Sequence, residues 1–510
     1  MSPLNLRANQ LNAKQIEVCS ASQLWLSEHV TGDLSSDARQ IQSGDAFVAY
    51  AFDAQHDGRA YLHQAQDNGA AAILWQDDGA SFTCGVANMG VPELNVLAGH
   101  IAHQYYDQPS SAMSMVAITG TNGKTSCAQW LAQLLSACQQ KCALMGTLGV
   151  GFVGAMVETG FTTPQAIEVH RLLRDVRTQG AVATVMEVSS HALEQGRVNG
   201  VAFDVALFTN ISRDHLDYHG DMANYEAAKS RLFTWHGLKT AVINMDDPAG
   251  QRMATVALAH GIEVIGYGLN AQATGVSRHL QASEIKAVGA HTEFVLNTGS
   301  EQLVIKSALV GEFNVMNLLG VLGVMRALGF ALQDLVSLCE SISAAPGRMQ
   351  RFGGVAQPLA VVDFAHTPDA LEKTLRALAP IARQRGGRLI SVFGCGGDRD
   401  AGKRPQMGAL AAALSDKVWV TSDNPRSEEP ASIVEQITQG AIAAQSAAEI
   451  AVQVERRLAI VQAINDATEQ DVVLVAGKGH EAYQEIKGIK HPYSDLTEVE
   501  LALTQWTRPA

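Results

Sequence analysis

The sequence predicts an α/β fold in three domains, two of them built on mostly parallel sheets, and three observations carry that prediction. Short apolar runs alternate with helical patterns over most of the 510 residues, the rhythm of strands buried on both faces and joined by crossing helices. One run, Met115 to Thr119, enters a glycine-bracketed turn that ends in Lys124-Thr125, as a phosphate-binding loop does at the end of a strand. The length itself exceeds what one hydrophobic core supports. The expected divisions are 1–110, 111–345 and 346–510.

Residues 1–110 read as a small α/β unit with buried strands at Ala46 to Tyr50 and Ala70 to Leu74. Asp37-Ala38-Arg39 and Asp57-Gly58-Arg59 lie at its turns and read, by themselves, as solvated loop residues. In 111–345 the strands are Val116 to Thr119, Ala183 to Val188, Val205 to Thr209 and Ala241 to Asn244. Gly266 to Ser307 is rich in β-type residues and predicts an antiparallel appendage, after which Gly311-Glu312-Phe313-Asn314 opens a helix. Pro346-Gly347 is the predicted linker. Beyond it, strands at Ala360 to Asp363, Leu389 to Gly394, Val418 to Thr421 and Val472 to Ala476 predict a second doubly wound, Rossmann-like unit. A last helix starts at Asp495, with Asp495 as its cap and Glu498 closing a capping box.

The phosphate loop is Gly120-Thr121-Asn122-Gly123-Lys124-Thr125. Its glycines let backbone N–H groups turn inward, Lys124 supplies a cation for the outer phosphates, and Thr125 offers a hydroxyl to magnesium. Ile118 stands where the longer form of this loop has a glycine, so this is a shorter variant. A glycine turn beside a surface lysine is the alternative; it leaves unexplained the helical spacing of Ala128, Leu131, Leu134 and Leu135 just after the loop. ATP or GTP is the expected ligand.

Composition narrows the class. A net charge of -14 excludes a general nucleic-acid binder. Seven cysteines without a Cys-x-x-Cys pair indicate neither a zinc site nor a disulfide framework, so a reducing cytoplasm is expected. The N-terminus lacks a signal-peptide core, and Arg326 interrupts the apolar stretch from Leu318, so membrane insertion is not expected.

Polar clusters follow the strands, where an open parallel sheet leaves room for ligands. Glu187 and His215 follow two strands of the middle unit. Either alone reads as a helix-capping carboxylate or a core histidine; together, across adjacent strand tips beside a phosphate loop, they read as a divalent-cation site. Lys229 lies on an amphipathic helix and has no local reason to be singled out. Four loops of the last unit, from Asp363, Gly394, Ser422 and Ala476, form a binding face. Within it Arg399 and Arg426 suit carboxylates and Glu481 suits an ammonium group, which together describe an amino-acid pocket.

These residues resemble the Mur ligases of bacterial cell-wall synthesis over nearly the whole chain. The resemblance is carried by Thr119 to Thr125, Thr162-Thr163-Pro164, Glu187 to His191, Asn210 to Gly220, Gly311 to Asn314, Gly347-Arg348-Met349, Asp363 to Leu371, Gly394 to Arg404, Asp423-Asn424-Pro425-Arg426 and Gly477 to Glu481. It implies an N-terminal domain for a uridine nucleotide, a central ATPase and a C-terminal domain that brings an amino acid. ATP then meets Gly120 to Thr125, Asn314, Arg348 and Asp363. Mg2+ is held by Thr125, Glu187, His215 and a carbamylated Lys229, and Lys124, Glu187, His215 and Lys229 are the catalytic residues. UDP-MurNAc-L-Ala-D-Glu is held by Ser36, Thr162, Thr163, Ser189, Gln195 and Arg197. Meso-diaminopimelate is held by Arg399, Asp423, Asn424, Pro425, Arg426, Gly477 and Glu481, because relatives with Asp-Asn-Pro-Arg take this diamino acid whereas lysine-adding relatives usually lack the arginine.

The implied reaction is ATP-dependent amide formation through an acyl phosphate, by a cytoplasmic monomer. A lysine-adding ligase, a folylpolyglutamate synthase and a non-catalytic nucleotide switch are the rivals. The N-terminal unit departs from the pattern: Ala38 lacks the hydroxyl of the relatives' Asp-Ser-Arg, with Ser36 or backbone groups as substitutes, and the nucleotide contacts fall near Ala54, Gln55 and His56.

Overall fold

The computed structural model describes residues 9–51, 57–79, 84–270, 276, 278–288 and 291–508. Ala54, Gln55 and His56, expected near the nucleotide, lie outside them. Among the described residues the chain forms three α/β layers in sequence order.

The first is a four-stranded parallel sheet of Leu34–Ser35, Ala46–Ala49, Ala72–Gln76 and Ala87–Val91. Helix Ala13–His29 packs on it, opened by a reciprocal capping box of Asn12 and Gln15, which satisfies two otherwise orphaned N–H groups. Asp37 and Asp57 each cap a short turn and close on the arginine two residues later, Arg39 and Arg59. Ala38 between them is buried in the small core with Ile41 and Phe47, so its missing hydroxyl sits at an inward-facing position.

The second is an eleven-stranded sheet. Its middle runs Glu263–Gly268, Thr240–Asn244, Val205–Phe208, Ser114–Thr119, Ala183–Glu187 and Cys142–Gly146, all parallel. Parallel pairing needs crossovers on both faces, and the apolar runs read from the sequence are buried accordingly. Arg278–Val288, His291–Asn297 and Gln302–Ser307 extend one edge, the last two pairings being antiparallel, which is the predicted appendage. Helix Glu312–Ala327 lies in the largest core with Leu318, Leu319, Val321, Leu322, Val324 and Met325 buried. Its continuous apolar character is thus that of a core helix, and no helix of the described residues is long and apolar enough to cross a membrane.

One expectation is corrected by this strand order. The strands that end at Glu187 and before Asn210 are not adjacent: Ser114–Thr119, which carries the phosphate loop, lies between them. Both tips therefore flank the loop from opposite sides.

The third layer is a six-stranded sheet in the order Gln350–Gly353, Leu359–Asp363, Val472–Ala476, Leu389–Phe393, Lys417–Val420 and Glu449–Val452, parallel except for the first. The four strands that bear the polar loops are contiguous, so the loops share one edge. Gly347 of the linker has φ +64°, and a Cβ there would stand 2.2 Å from the backbone N of His480. The linker is thereby pressed onto the Gly477 to Glu481 loop in a way only glycine permits.

The final helix, Asp495–Gln505, is capped by Ser494, whose hydroxyl accepts from Thr497 N. The expected cap, Asp495, is instead fully buried against Arg456, at 2.7 Å, and accepts from the Tyr493 hydroxyl. A buried guanidinium left unpaired costs far more than a cap contributes, which explains why the carboxylate is drawn inward. Glu498 pairs with Arg457 rather than closing a capping box.

Candidate active site

The phosphate loop begins where its strand stops. Ile118 is fully buried and in register with Glu187, so the turn opens only at Gly120, and the shorter loop follows. Gly120 and Gly123 have φ of +149° and +89°, and a Cβ on either would collide with Thr209 Oγ1 or Asn317 Oδ1. Lys124 folds back so that Nζ donates to the carbonyls of Gly120 and Thr121, at 2.8 and 2.9 Å. Asn122 N donates to Asn210 Oδ1, and its own side chain donates to Asp369 of the third layer.

Thr125 Oγ1 donates to Glu187 Oε2 at 2.9 Å, and Thr147 N and Oγ1 donate to the two Glu187 oxygens. Arg348 Nη2 reaches Thr125 Oγ1 at 3.2 Å, bringing the chain just past the linker onto the loop. Its guanidinium stacks on Phe364, and burial lowers its pKa.

Lys229 is buried with Nζ donating to Gly120 O at 3.0 Å and lying over the Tyr225 ring. Burial, and then the nearby Lys124, push its pKa well below the ordinary lysine value, so its amine is held toward the neutral form. His215 is in edge-on ring contact with Tyr225 and His191 and lies 3.4 Å from Asp214. Thr125 and Glu187 are thus brought together, Lys229 lies on the loop beside them, and His215 is paired with Asp214. Among the described residues no three His, Cys, Asp or Glu groups converge as a ready-made metal cluster. The oxygen donors of Thr125 and Glu187 suit a hard cation such as Mg2+.

A cleft of about 680 Å³ opens between the second and third layers, lined by Asn122, Gly123, Asn314, Arg348 and Asp363. Asp363 accepts from Met349 N and Thr374 Oγ1, and burial raises its pKa. Asn314 donates to Val310 O, which leaves its carbonyl oxygen for a ligand. A nucleotide laid in this cleft places its phosphates on the loop.

The residues expected around the sugar peptide form one connected cluster. Thr163 donates to Glu187 O and accepts from Ser189 N; Arg197 donates to Thr163 O and, from two nitrogens, to Gln195 Oε1. Gln195 donates to the Tyr218 hydroxyl and Thr162 meets Thr147. Ser36 joins from the first layer through the Tyr50 hydroxyl, which faces Arg197.

The second cleft, about 190 Å³, is lined by Arg399, Asp423, Asn424, Arg426, Gly477 and Glu481 together with Asp214, His215, His366 and Lys403. Arg426 donates from Nη1 to Gly397 O at 2.8 Å, and Arg399 donates to Asp398 O. Glu481 accepts from Asn424 Nδ2 and from the fully buried Lys478, at 2.8 and 2.7 Å, so an ammonium group already faces it. Asp423 accepts from Asn424 N, Gly477 N donates to Asp363 O, and Pro425 O approaches Gly397. Of the residues expected to meet the amino acid, all but Pro425 line this cleft.

Asp214, His366, Lys403 and Lys478 were missed as site residues. Asp214, His366 and Lys478 lie inside the polar strand-end runs, which is the available signal; Lys403 carries none that separates it from a solvated lysine. Burial acts to raise the Asp214 pKa, but His215, His366, Lys403 and Lys124 around it prevail and hold it below the usual carboxylate range. It therefore stands ionised between the phosphate loop and the amino-acid cleft.

Known proteins resemble this chain over most of its length. Residues 118–325 match the model of the Mur ligase middle domain and residues 347–479 that of the Mur ligase glutamate ligase domain. The UDP-N-acetylmuramoyl-L-alanyl-D-glutamate--2,6-diaminopimelate ligase of Ralstonia nicotianae is 50% identical over 491 residues, covering 94% of this chain and 95% of the relative. The protein of the same name in Pseudomonas aeruginosa is 44% identical over 479 residues, covering 94% and 96%. A solved structure of such a ligase superposes with TM-score 0.65 at 36% identity, covering 93% of this chain and 94% of the other. A folylpolyglutamate synthase of Mycobacterium tuberculosis, complexed with ADP and AMPPCP, shares the fold at TM-score 0.59 and 17% identity, over 76% of this chain and 92% of its own.

Proposed function

The chain belongs to the Mur ligase family, and on that premise we propose how its residues carry out the reaction. It is an ATP-dependent, diaminopimelate-adding ligase of peptidoglycan precursor synthesis. We take the chain to divide near residues 110 and 345, into a part for UDP-MurNAc-L-Ala-D-Glu, an ATPase and a part for meso-diaminopimelate, working as a cytoplasmic monomer. The observation that carries the reading is Asp214, which lines the arginine-bearing cleft and also lies within electrostatic reach of Lys124 on the phosphate loop.

The D-glutamyl carboxylate attacks the γ-phosphate of ATP; the bond to the β-phosphate oxygen breaks and ADP leaves. The diaminopimelate amine then attacks the acyl carbon, inorganic phosphate departs and the amide forms. Activation is needed because a carboxylate is a poor electrophile. Lys124 swings from the carbonyls it caps onto the transferring phosphoryl group, and Asn314, Arg348 and Asp363 hold the nucleotide. Thr125, Glu187, His215 and a carbamylated Lys229 would hold Mg2+. That ion, when bound, neutralises charge on the phosphates. Thr162, Thr163, Ser189, Gln195 and Arg197, with Ser36, orient the sugar peptide. Arg399, Arg426 and the Asp423 to Pro425 turn seat the diamino acid, with Gly477 and Glu481 closing its amine end.

The test is the mass of the product formed by purified protein, ATP and UDP-MurNAc-L-Ala-D-Glu with either diamino acid. Addition of meso-diaminopimelate and little of L-lysine is expected. Preferential addition of lysine would contradict the assignment of Arg426.

A further inference from the structure

Thr147 stands in the turn between Cys142–Gly146 and Gly149–Phe152, two antiparallel strands toward one edge of the second sheet. The turn is pressed onto Glu187: a Cβ on Gly146 would collide with Glu187 Oε1, and Thr147 N donates to that oxygen at 3.0 Å. Thr147 Oγ1 lies 3.1 Å from Glu187 Oε2 and 3.2 Å from Thr162 Oγ1. A hydroxyl has one hydrogen to give, and a carboxylate only accepts. Thr147 therefore spends its hydrogen on Glu187, as Thr125 does at 2.9 Å, and the contact with Thr162 is made by the Thr162 hydrogen. With that hydrogen committed, Thr162 has only lone pairs to offer a ligand. Thr163 beside it likewise donates to Glu187, at the backbone carbonyl. Thr147 and Thr162 are both half-buried, so the outer hydroxyl of the series stays within reach of a ligand.

We propose that Thr147 is a positioning residue that presets Thr162 as a hydrogen-bond acceptor for an N–H or O–H donor of the sugar peptide. This rests on the UDP-MurNAc-L-Ala-D-Glu reading and adds to it a residue outside the contacts assigned above. The hydrogens run one way, from Thr162 to Thr147 to Glu187, because only the inner end of the series has none to give. Without Thr147 the Thr162 hydroxyl would turn freely and lose that freedom on binding; with it, the acceptor is fixed before the substrate arrives. Two bonds to one carboxylate, together with the branched Cβ of threonine, hold the Thr147 side chain in one rotamer. The Glu187 oxygen that takes the Thr147 hydrogen also takes that of Thr125 on the phosphate loop. One carboxylate thus orients hydroxyls on both sides of the reaction.

Thr147→Val keeps the shape and the backbone N–H and removes the hydroxyl, whereas Thr147→Ser keeps the hydroxyl. The full-length proteins are compared by calorimetric binding of UDP-MurNAc-L-Ala-D-Glu without ATP or Mg2+, in a cycle with Thr162→Val. Thr147→Val is expected to raise the Kd about fivefold and Thr162→Val about tenfold. The double variant should bind no more weakly than Thr162→Val alone, because Thr147 acts only through Thr162, and Thr147→Ser should stay within about twofold of wild type. The Mg2+ concentration for half-maximal ADP release should hold in Thr147→Val, since Glu187 keeps its bonds from Thr125 and the backbone N–H. Losses that multiply in the double variant, or an unchanged Kd in Thr147→Val, would overturn the proposal. So would a raised Mg2+ requirement with no change in Kd, which would reduce Thr147 to a prop for Glu187. Thr147→Ala repeats the cycle should valine lower the melting temperature. A wild type that does not bind UDP-MurNAc-L-Ala-D-Glu would overturn the substrate reading itself, a result distinct from any behaviour of the variants.

Discussion

Lys124→Met is expected to lower the rate of ADP formation by ~10³-fold or more while the melting temperature and diaminopimelate binding stay close to wild type. Methionine keeps most of the apolar stem and removes only the ammonium, which in this structure rests on the carbonyls of Gly120 and Thr121. Those two acceptors border the loop that receives the phosphates, so the same side chain can exchange them for phosphate oxygens with a small rotation. Burial lowers the Lys124 pKa, while Glu187 and Asp214 act to raise it; an arriving polyphosphate adds to the second influence. Near-normal ADP release by the variant would remove Lys124 from phosphoryl transfer.

Lys229 gives the second large effect. Its amine is buried beside another cation, Lys124, an arrangement that favours the uncharged form, and only an uncharged amine adds carbon dioxide to become a carbamate. The carbamate is a two-oxygen anion, and it converts a lysine with no electrostatic reason to be there into a partner for Thr125 and Glu187. Lys229→Ala is expected to reduce turnover by about 100-fold or more, with a raised requirement for Mg2+. Carbon-isotope-labelled bicarbonate should give the wild-type protein a carbamate signal in NMR that the variant lacks. Arginine stays charged and cannot be carbamylated, so wild-type activity in Lys229→Arg would contradict the modification.

Features set by neighbouring residues were legible in the sequence. The strand before Gly120, the turn through Thr125, the antiparallel appendage and the four polar loops of the last sheet each follow from short patterns of apolar, glycine and charged residues. Features set by partners distant in the chain were not. Ser494 caps the last helix because Asp495 is taken by Arg456, 39 residues away. Consecutive order in the sequence makes Glu187 and His215 neighbours across adjacent strand tips, whereas in the sheet the phosphate-loop strand runs between them. Lys478 is an ordinary surface residue type in the sequence; only the fold of its loop buries it under Glu481. For Lys229 the sequence offers only the resemblance; its burial beside Lys124 is visible only in the structure.

On the proposed reading the phosphoryl donor lies on the Gly120 to Thr125 loop and the attacking amine in the arginine-bearing cleft, and the carboxylate is activated as an acyl phosphate before the amide forms. Labelling the D-glutamyl carboxylate of UDP-MurNAc-L-Ala-D-Glu with a heavy oxygen isotope and analysing the inorganic phosphate released with ATP and meso-diaminopimelate tests this directly. One labelled oxygen should pass from carboxylate to phosphate with each amide formed. Phosphate free of label, with product accumulating normally, would contradict an acyl phosphate and with it the arrangement of donor and acceptor described for this site.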